Sequence, residues 1–238
     1  MRNEHDIEWD TVFTADIDGN RPIGELAASV NDLCGRVEGR PGSVILLRLA
    51  EGTPDRRSWP GAVDVRDVSR WEKAIRRLER SEAVSIVVGQ GTCCGPALDV
   101  LLVGDYRIAS ADMTLLLPVN DDQFWPGMAL HRLVREIGVA RARQLVLWGD
   151  RLTAAAALEN SLVNEVSTDV EDTVRSAVVF LRRTSGTDLA VRRQLLFEAA
   201  SNDFEDSLGV HLAACDRELR RLRAQPRSGV DARVEARR

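Results

Sequence analysis

The sequence predicts an α/β protein built around a mostly parallel sheet, and the arrangement of apolar residues along its 238 positions predicts it. Short, β-branched, apolar runs typical of buried strands alternate with longer segments in which apolar residues recur at helical spacing. Clusters of glycine and proline separate the two kinds of segment. Repeated units of this kind bring parallel strands side by side through right-handed crossovers. We therefore expect a single α/β core.

The first half of the chain contains three runs that predict strands and two that predict helices. The strand-like runs are rich in valine, isoleucine and leucine and cover residues 12–17, 43–49 and 83–88. The first helix is predicted over 22–37, where apolar residues share one face. The second is predicted to begin at Ser69, because Ser69-x-x-Glu72 has the form of a capping box, and Trp71 lies on its inward face. Residues 51–61 are rich in charge, proline and glycine, which predicts a loop.

A glycine turn follows the third strand-like run. The turn, Gly89 to Gly95, leads into a helix predicted over 96–103, which Pro96 opens at a favoured first-turn position. A strand, a glycine turn and a helix N-terminus together aim backbone N–H groups at a bound anion or a developing oxyanion. This geometry fits several classes of enzyme.

The second half of the chain becomes purely helical beyond residue 170. One helix is predicted around Leu130, and later apolar stripes at helical spacing end at Leu222. The last residues are charged and lack an apolar face, which predicts disorder. We accordingly expect an α/β core over 1–166, a helical region over 167–223 and a disordered tail over 224–238.

Charge and composition argue against several classes of function. The 37 acidic and 32 basic residues give a formal charge of -5, whereas nucleic-acid-binding domains are usually basic. The histidines and cysteines have no metal-type spacing, so we expect reduced thiols and no metal cofactor. The N-terminal segment is acidic and lacks the apolar core of a signal peptide, and no run of about 18 apolar residues occurs. We therefore expect a cytoplasmic protein that does not enter the membrane.

Two motifs in the predicted core are similar to segments of one known superfamily. Asp105-Tyr106-Arg107-Ile108-Ala109-Ser110 has the form D-x-R-I-A-S. Leu147 to Val166 has the form L-x-G-x-x-(I/L)-x-A-x-x-A-L-x-x-G-L-V-N-x-V, with Ser161 where glycine is usual. Pro118 and the Pro126-Gly127 pair fall at a proline and a P-G turn of the same superfamily. Together these segments resemble the enoyl-CoA hydratase, or crotonase, superfamily.

The resemblance implies an architecture and a chemistry. The fold would be a crotonase spiral, similar to that of ClpP, made of β-β-α units with a C-terminal helical region, and three or six copies would assemble. The substrate would be a CoA thioester, with no other cofactor. Its carbonyl oxygen would accept hydrogen bonds from two backbone N–H groups that stabilise an enolate.

The resemblance assigns these two N–H donors to two loops. The segment G-A-V-D before the second predicted helix is similar to the family's A-G-A-D loop, so Ala62, or else Val63, is the first donor unless this is an ordinary loop end. The second donor falls within Gly95, Pro96 and Ala97, where the family has a G-G-G run. Because proline has no N–H, either one donor is missing or the turn is shifted so that Gly95 or Ala97 supplies it.

Hydratases of this superfamily use two glutamates as acid and base. Asp99 falls at the first glutamate, as a shorter carboxylate, with a helix-dipole acid as its alternative role. Val119 falls at the second. Asp121 lies close by and is a further candidate for acid-base work, unless it belongs to a solvated turn. Trp125 either lines the acyl pocket or packs its own turn.

The chain also resembles short, diverged crotonases that accompany a type III polyketide synthase in making 3,5-dihydroxyphenylacetyl-CoA for glycopeptide antibiotics. This implies a lyase of the hydratase or dehydratase type that helps to dehydrate and aromatise an acyl-CoA or polyketide thioester. One alternative is a catalytically weak accessory subunit that stimulates the synthase. The other is a thiol hydrolase, because Gly91-Thr92-Cys93-Cys94-Gly95 has the form of a nucleophile elbow, with Cys93 as nucleophile and Asp121 followed by His131 or His211.

Overall fold

The computed structural model describes residues 9–50, 52, 59–120, 123–149, 151–182 and 187–224. Its strands are β1 (Val12–Ile17), β2 (Val44–Leu49), β3 (Val84–Gly89), β4 (Thr92–Cys93), β5 (Tyr106–Ser110), β6 (Thr114–Leu116), β7 (Val119–Asn120), β8 (Gln123–Phe124), β9 (Arg151–Thr153) and β10 (Glu165–Ser167). Its helices are α1 (Ile23–Val37), α2 (Val65–Glu79), α3 (Ala97–Leu101), α4 (Met128–Trp148), α5 (Ala154–Glu159), α6 (Val170–Leu181), α7 (Thr187–Ala199) and α8 (Phe204–Ala224). The chain divides into two compact units, Met1–Ala190 and Val191–Arg238.

Five parallel strands form the main sheet of the first unit, in the order β1-β2-β3-β5-β10. Val44 of β2 stands between Val12 of β1 and Val84 of β3, which sets the register of the three longest strands. Every residue of β3 is buried, as expected for a parallel strand that is covered on both faces. The α/β fold with a mostly parallel sheet is therefore confirmed.

Two apolar cores cover the two faces of this sheet. Val87 of β3 belongs to the larger core, into which α1, α2 and α3 also direct their apolar side chains. The residues on either side of it, Ile86 and Val88, belong to the smaller core with Val174 and Val178 of α6. Successive side chains of a strand point to opposite faces, so a single strand contributes to both cores. Each fully buried aliphatic side chain stabilises the fold by about 1.5–3 kcal/mol.

A smaller sheet lies after the glycine turn. In it β4 pairs in parallel with β6, and β6 pairs antiparallel with β9. A separate two-stranded hairpin joins β7 to β8. Strand pairs followed by a helix, as in β3-β4-α3, match the β-β-α units that the resemblance implies.

The start of α2 differs from the prediction. The helix begins at Val65 rather than Ser69, and its N-cap is Asp64, whose carboxylate accepts hydrogen bonds from the N–H groups of Arg66 at 2.7 Å and Asp67 at 3.0 Å. An acidic N-cap satisfies two of the free N–H groups at the helix start, so the Ser69 capping box is not used.

Two further helices depart from the predicted bounds. Helix α3 has Pro96 as its N-cap and ends at Leu101, because the N–H groups of Val103 and Gly104 bond three residues back and tighten the last turn. Helix α4 is kinked at Gly138, whose φ of 77° and ψ of 161° leave the helical region. Its inward residues before the kink include Leu133, as the pattern around Leu130 indicates.

Helices make up the described chain beyond β10. Residues 168–182 contain α6, and in the second unit α8 presents the predicted apolar stripe, with Leu212 58% and Leu219 50% exposed. The tail predicted to be disordered lies outside the described residues from position 225 onward. Among the helices described, none is both long and apolar enough to cross a bilayer.

Candidate functional site

Asp99 of α3 is a buried carboxylate held by two tryptophans. Its side chain lies in the core with only 6% of the residue exposed. The indole Nε1 of Trp71, on α2, donates a hydrogen bond to Oδ2 of Asp99 at 3.1 Å, and the Trp59 side chain also hydrogen-bonds this carboxylate. The rings of Trp59 and Trp71 meet edge to face, with centroids 5.9 Å apart and planes at 75°. Each indole therefore limits the side-chain rotation of the other, and both limit the rotation of the Asp99 carboxylate.

The environment of Asp99 moves its pKa towards neutrality. The pKa of Asp99 is raised from its ordinary value of 3.8 to about 6, chiefly by burial and to a smaller extent by the charge of Glu72. The Trp71 hydrogen bond, the Arg132 guanidinium and the Trp59 hydrogen bond act in the opposite direction. A carboxyl group with a pKa near neutrality can both accept and return a proton, which is what general acid-base catalysis requires.

An ion cluster of α2 and α4 stands beside this carboxylate. Arg132 of α4, 7% exposed, donates to both carboxylate oxygens of Glu72, at 2.6 and 3.0 Å. Its Nε also donates to Glu79 at 3.3 Å. Because Glu72 follows Trp71 directly in α2, the Arg132 cluster ties the helix that carries Trp71 to α4.

The glycine turn contains the atoms that the resemblance assigns to the second N–H donor. Gly95 has a φ of +60°, the left-handed region that glycine adopts without strain, and a Cβ there would lie 3.4 Å from both Gly19 and the Trp59 ring. Ala97 donates its N–H to the carbonyl of Cys94 at 3.2 Å, and Pro96 has no N–H. Of these three positions, only Gly95 has an N–H that donates to nothing in the described part of the chain.

The segment of the first assigned donor follows Trp59 in the chain. Ala62 and Val63 form an exposed stretch that ends at the N-cap of α2. Neither N–H donates a hydrogen bond to any described residue. The Trp59 ring lies against Gly95, so the segment from Trp59 to Ala62 starts next to the glycine turn.

The position assigned to a second carboxylate also lies beside Trp59. The carbonyl of Val119, in β7, accepts a hydrogen bond from the Trp59 N–H at 3.2 Å. The side chain at this position is apolar and half-buried. Asp121 lies outside the described residues. Asp18 and Asp112 also lie near the glycine turn, but among the described residues Asp99 is the buried carboxylate beside it.

Trp125 packs against the larger core and is not brought into hydrogen-bonding contact with Asp99. Its N–H donates to the Pro118 carbonyl at 2.8 Å, and its own carbonyl accepts from Gly127 at 2.8 Å. These bonds close a tight turn before α4, which supports the interpretation that Trp125 packs that turn.

The two adjacent cysteines of the turn are buried. Cys93 is fully buried, and its Sγ donates to the carbonyl of Gln90 at 3.5 Å. Burial raises the pKa of the Cys94 thiol, and the nearby Asp18 carboxylate adds to this effect. His131 is exposed on α4. The complete burial of Cys93, the nucleophile of the thiol-hydrolase alternative, does not support that alternative.

Sequence reasoning missed two members of this site and underrated a third. Trp59 lies in a segment that reads only as a charged loop, and Arg132 is one of many arginines on an amphipathic helix. The helical spacing of Trp71 predicts that its side chain points into the core, but it does not predict which group the indole contacts. A tryptophan on an inward helix face carries an N–H that needs an acceptor. This need is the feature of the sequence that could have identified Trp71 as a member of the site.

Comparisons with known proteins show the family to which the chain belongs. Residues 66–238 match the profile of the family described as enoyl-CoA hydratase/isomerase. The protein named enoyl-CoA-hydratase from Amycolatopsis orientalis is 39% identical over 207 residues, which cover 86% of this chain and 94% of that protein. The chain belongs to the enoyl-CoA hydratase/isomerase family. A second protein of that organism, named (3,5-dihydroxyphenyl)acetyl-CoA 1,2-dioxygenase, is 38% identical over 72 residues, 30% of this chain and 17% of that protein.

Solved structures of the enoyl-CoA hydratase/isomerase family share the fold. The enoyl-CoA hydratase/isomerase of Cupriavidus metallidurans CH34 superposes with a TM-score of 0.73 at 19% identity, over 95% of this chain and 91% of that one. Ser161, where the resemblance implies a glycine, has a left-handed φ of 59°. Glycine adopts this conformation without strain, which explains why the motif would have glycine there.

Proposed function

We propose that this protein acts on an acyl-CoA or polyketide thioester through enolate chemistry, with Asp99 as its proton-transfer group. The observation that carries the proposal is a single buried carboxylate, with a pKa of about 6, beside a glycine turn that leaves the Gly95 N–H free to donate. The family membership and the likeness to an enoyl-CoA-hydratase support a CoA thioester as the substrate.

In the proposed reaction the thioester carbonyl oxygen accepts hydrogen bonds from the N–H groups of Gly95 and Ala62. Ionised Asp99 removes the proton from the carbon next to the carbonyl, and the electron pair moves onto the oxygen as an enolate. Each backbone donor of this kind stabilises such an oxyanion by about 3 kcal/mol. When the enolate collapses, a carbon–carbon double bond forms, the bond to the β-hydroxyl breaks, and Asp99 returns its proton to the departing hydroxyl, which leaves as water.

The substrate rather than the site sets the direction of this reaction, because the same groups catalyse hydration and dehydration through one transition state. A single carboxylate can remove the proton and return it to the departing hydroxyl, whereas a second acid-base group would speed both directions. Val119 supplies none. A polyketide thioester that becomes aromatic on losing water has a strong driving force, so one carboxylate is sufficient for it.

We assign the substrate class to intermediates on the way to 3,5-dihydroxyphenylacetyl-CoA. The short likeness to a (3,5-dihydroxyphenyl)acetyl-CoA 1,2-dioxygenase supports this assignment. The same proposal includes a type III polyketide synthase as partner, a homotrimer or hexamer as the assembly, the cytoplasm as location and antibiotic biosynthesis as the process.

A second candidate function is that of an accessory subunit that stimulates the synthase. The observation that favours it is Val119 at the position of the second glutamate. In this case the protein would bind the thioester and hold it, and the ionisable side chain of Asp99 would not be needed.

One experiment separates the two functions. Wild type, Asp99→Asn and the exposed control Asp32→Asn are assayed with a short trans-2-enoyl-CoA and with a type III polyketide synthase supplied with malonyl-CoA. We expect wild type and Asp32→Asn to increase release of the dehydrated, aromatic product, and Asp99→Asn to lose about 100-fold or more of this effect. Equal stimulation by all three proteins would assign the accessory role, and stimulation by none would reject both functions.

A further inference from the structure

A hydrogen bond from α2 fixes one oxygen of Asp99 in place. The indole Nε1 of Trp71 lies 3.1 Å from Oδ2 of Asp99, and both side chains are buried. We infer that Trp71 is a positioning residue that orients the Asp99 carboxylate so that Oδ1 faces the reacting carbon. This inference rests on the proposed role of Asp99 and assigns Trp71 a part in it.

Neighbouring groups fix both the ring and the backbone of Trp71. Trp71 is 4% exposed and packs edge to face against Trp59. On its C-terminal side, Glu72 is bound through both oxygens by Arg132, and the start of the same helix is capped by Asp64. A donor fixed at both the ring and the backbone loses little conformational freedom when it binds the carboxylate.

Asp99 needs such a donor because its position in α3 does not by itself fix the orientation of its carboxylate. The helix has only five residues, and the aspartate side chain can turn about its last torsion angle, which is broad for this residue type. The charged groups that face Asp99 are Arg132 of α4 and Glu72 of α2, and they are paired with each other, Arg132 also with Glu79. Trp59 is the other neutral donor from the segment before α2. Orientation therefore comes from the indoles rather than from an ion pair.

The test removes the indole N–H and keeps the ring. Trp71→Phe and a β-(3-benzothienyl)alanine at position 71, which has the shape of tryptophan without its N–H, are compared with wild type. Trp148→Phe is the matched control, because Trp148 is 82% exposed at the end of α4. The pKa of Asp99 is followed by carbon-13 NMR of the aspartate carboxyl groups, with Asp99→Asn used to assign the signal.

Loss of a hydrogen bond to the ionised carboxylate favours the neutral form. We expect the pKa of Asp99 to rise above its wild-type value by about one pH unit in both position-71 variants and to stay unchanged in Trp148→Phe. The acidic limb of the pH–rate profile moves upward with it, kcat falls by about tenfold or more, and KM changes by less than about twofold.

The outcomes separate this inference from the proposed function. An unchanged pKa of Asp99 in the benzothienylalanine protein would overturn the role of Trp71 whether or not the enzyme turns over a thioester. A raised pKa with unchanged kcat would overturn it as well. The benzothienylalanine protein decides the case if Trp71→Phe does not fold. Failure of the proposed function is seen instead as full stimulation of the synthase by Asp99→Asn, or as no stimulation by the wild type.

Discussion

Among single residues, Asp99 is a buried carboxylate whose ionisation opposes folding near neutral pH. Its pKa is about 6 in the folded protein and has its ordinary value of 3.8 in the unfolded chain. Between these two values the folded state binds a proton that the unfolded state has lost. The free energy of unfolding therefore falls as the pH rises through this window, and the penalty is complete above it.

Asp99→Asn should relieve this penalty. The amide cannot ionise, and its oxygen still accepts the Trp71 hydrogen bond. Because about two pH units separate the two pKa values, we expect the variant to be more stable than wild type by up to about 3 kcal/mol at pH 7.5, with the gain disappearing towards pH 4. Urea unfolding across this pH range measures it.

The exposed Asp32→Asn on α1 is the control for this measurement and should show no such pH-dependent gain. If the stability difference between Asp99→Asn and wild type were the same at pH 4 and pH 7.5, the raised pKa would be wrong.

At this scale the sequence predicts Asp99 and misses the groups around it. Asp99 stands at a fixed distance before the D-x-R-I-A-S run, so motif spacing is enough to find it. Trp59 and Arg132 reach it from a loop and from α4, and no local pattern records which side chains of distant segments meet. Which of Gly95, Pro96 and Ala97 can supply the second N–H donor depends on which N–H groups hydrogen-bond within the turn. Only the three-dimensional structure shows that the Ala97 N–H donates to the Cys94 carbonyl.

At the scale of elements, the ion cluster between α2 and α4 is the feature whose removal has the largest expected effect. Arg132 is 8% exposed in its side chain, and its partners Glu72 and Glu79 are 21% and 17% exposed. Removing the arginine leaves two carboxylates without a counter-charge in a region that water reaches poorly. Breaking a buried pair in this way costs about 3–5 kcal/mol.

We therefore expect Arg132→Met to lower the free energy of unfolding by about 3 kcal/mol. Arg48→Met is the matched control, because Arg48 binds Glu171 through two hydrogen bonds with side chains 27% and 63% exposed. It should lose less than about 1 kcal/mol. Urea unfolding at pH 7 measures the free energy of unfolding of the two variants. Equal losses would show that burial of the α2–α4 cluster does not increase its contribution to stability.

Strands were easier to predict from the sequence than helix ends. The apolar runs of β2 and β3 are buried on both faces, so their bounds follow from apolar content to within one residue. The start of α2 was wrong because Asp64 and Ser69 both resemble caps, and the choice depends on where the preceding loop arrives. The kink of α4 at Gly138 has the same origin, since glycine permits a break without requiring one.

At the scale of the whole molecule, the fold brings together three segments that are separated in the sequence. Trp59 precedes α2, Asp99 follows the glycine turn, and Val119 belongs to the hairpin after β6. The Trp59 N–H bonds to the Val119 carbonyl at 3.2 Å, while the Trp59 side chain bonds to Asp99. The motifs predict the α/β fold because they mark the repeated units, whereas the meeting point of those units depends on the three-dimensional course of the chain.

This arrangement predicts that a carboxylate at position 119 would restore hydration. Val119→Glu places a second acid-base group on the other side of Trp59 from Asp99, where the resemblance implies the second glutamate. We expect the rate of hydration of trans-2-enoyl-CoA, followed by loss of absorbance, to rise by about 100-fold over wild type. The increase should be greatest where the introduced carboxylate is ionised, because it acts as the base on water.

Val119→Gln is the control, since it has the same shape and cannot exchange a proton at neutral pH. It should leave hydration at the wild-type level, and thermal unfolding of both variants would show whether each is folded. If folded Val119→Glu hydrated no faster than folded Val119→Gln, position 119 would not face the substrate. The missing second carboxylate would then not be the reason for slow hydration, and Asp99 would carry the proton transfers without a partner at position 119.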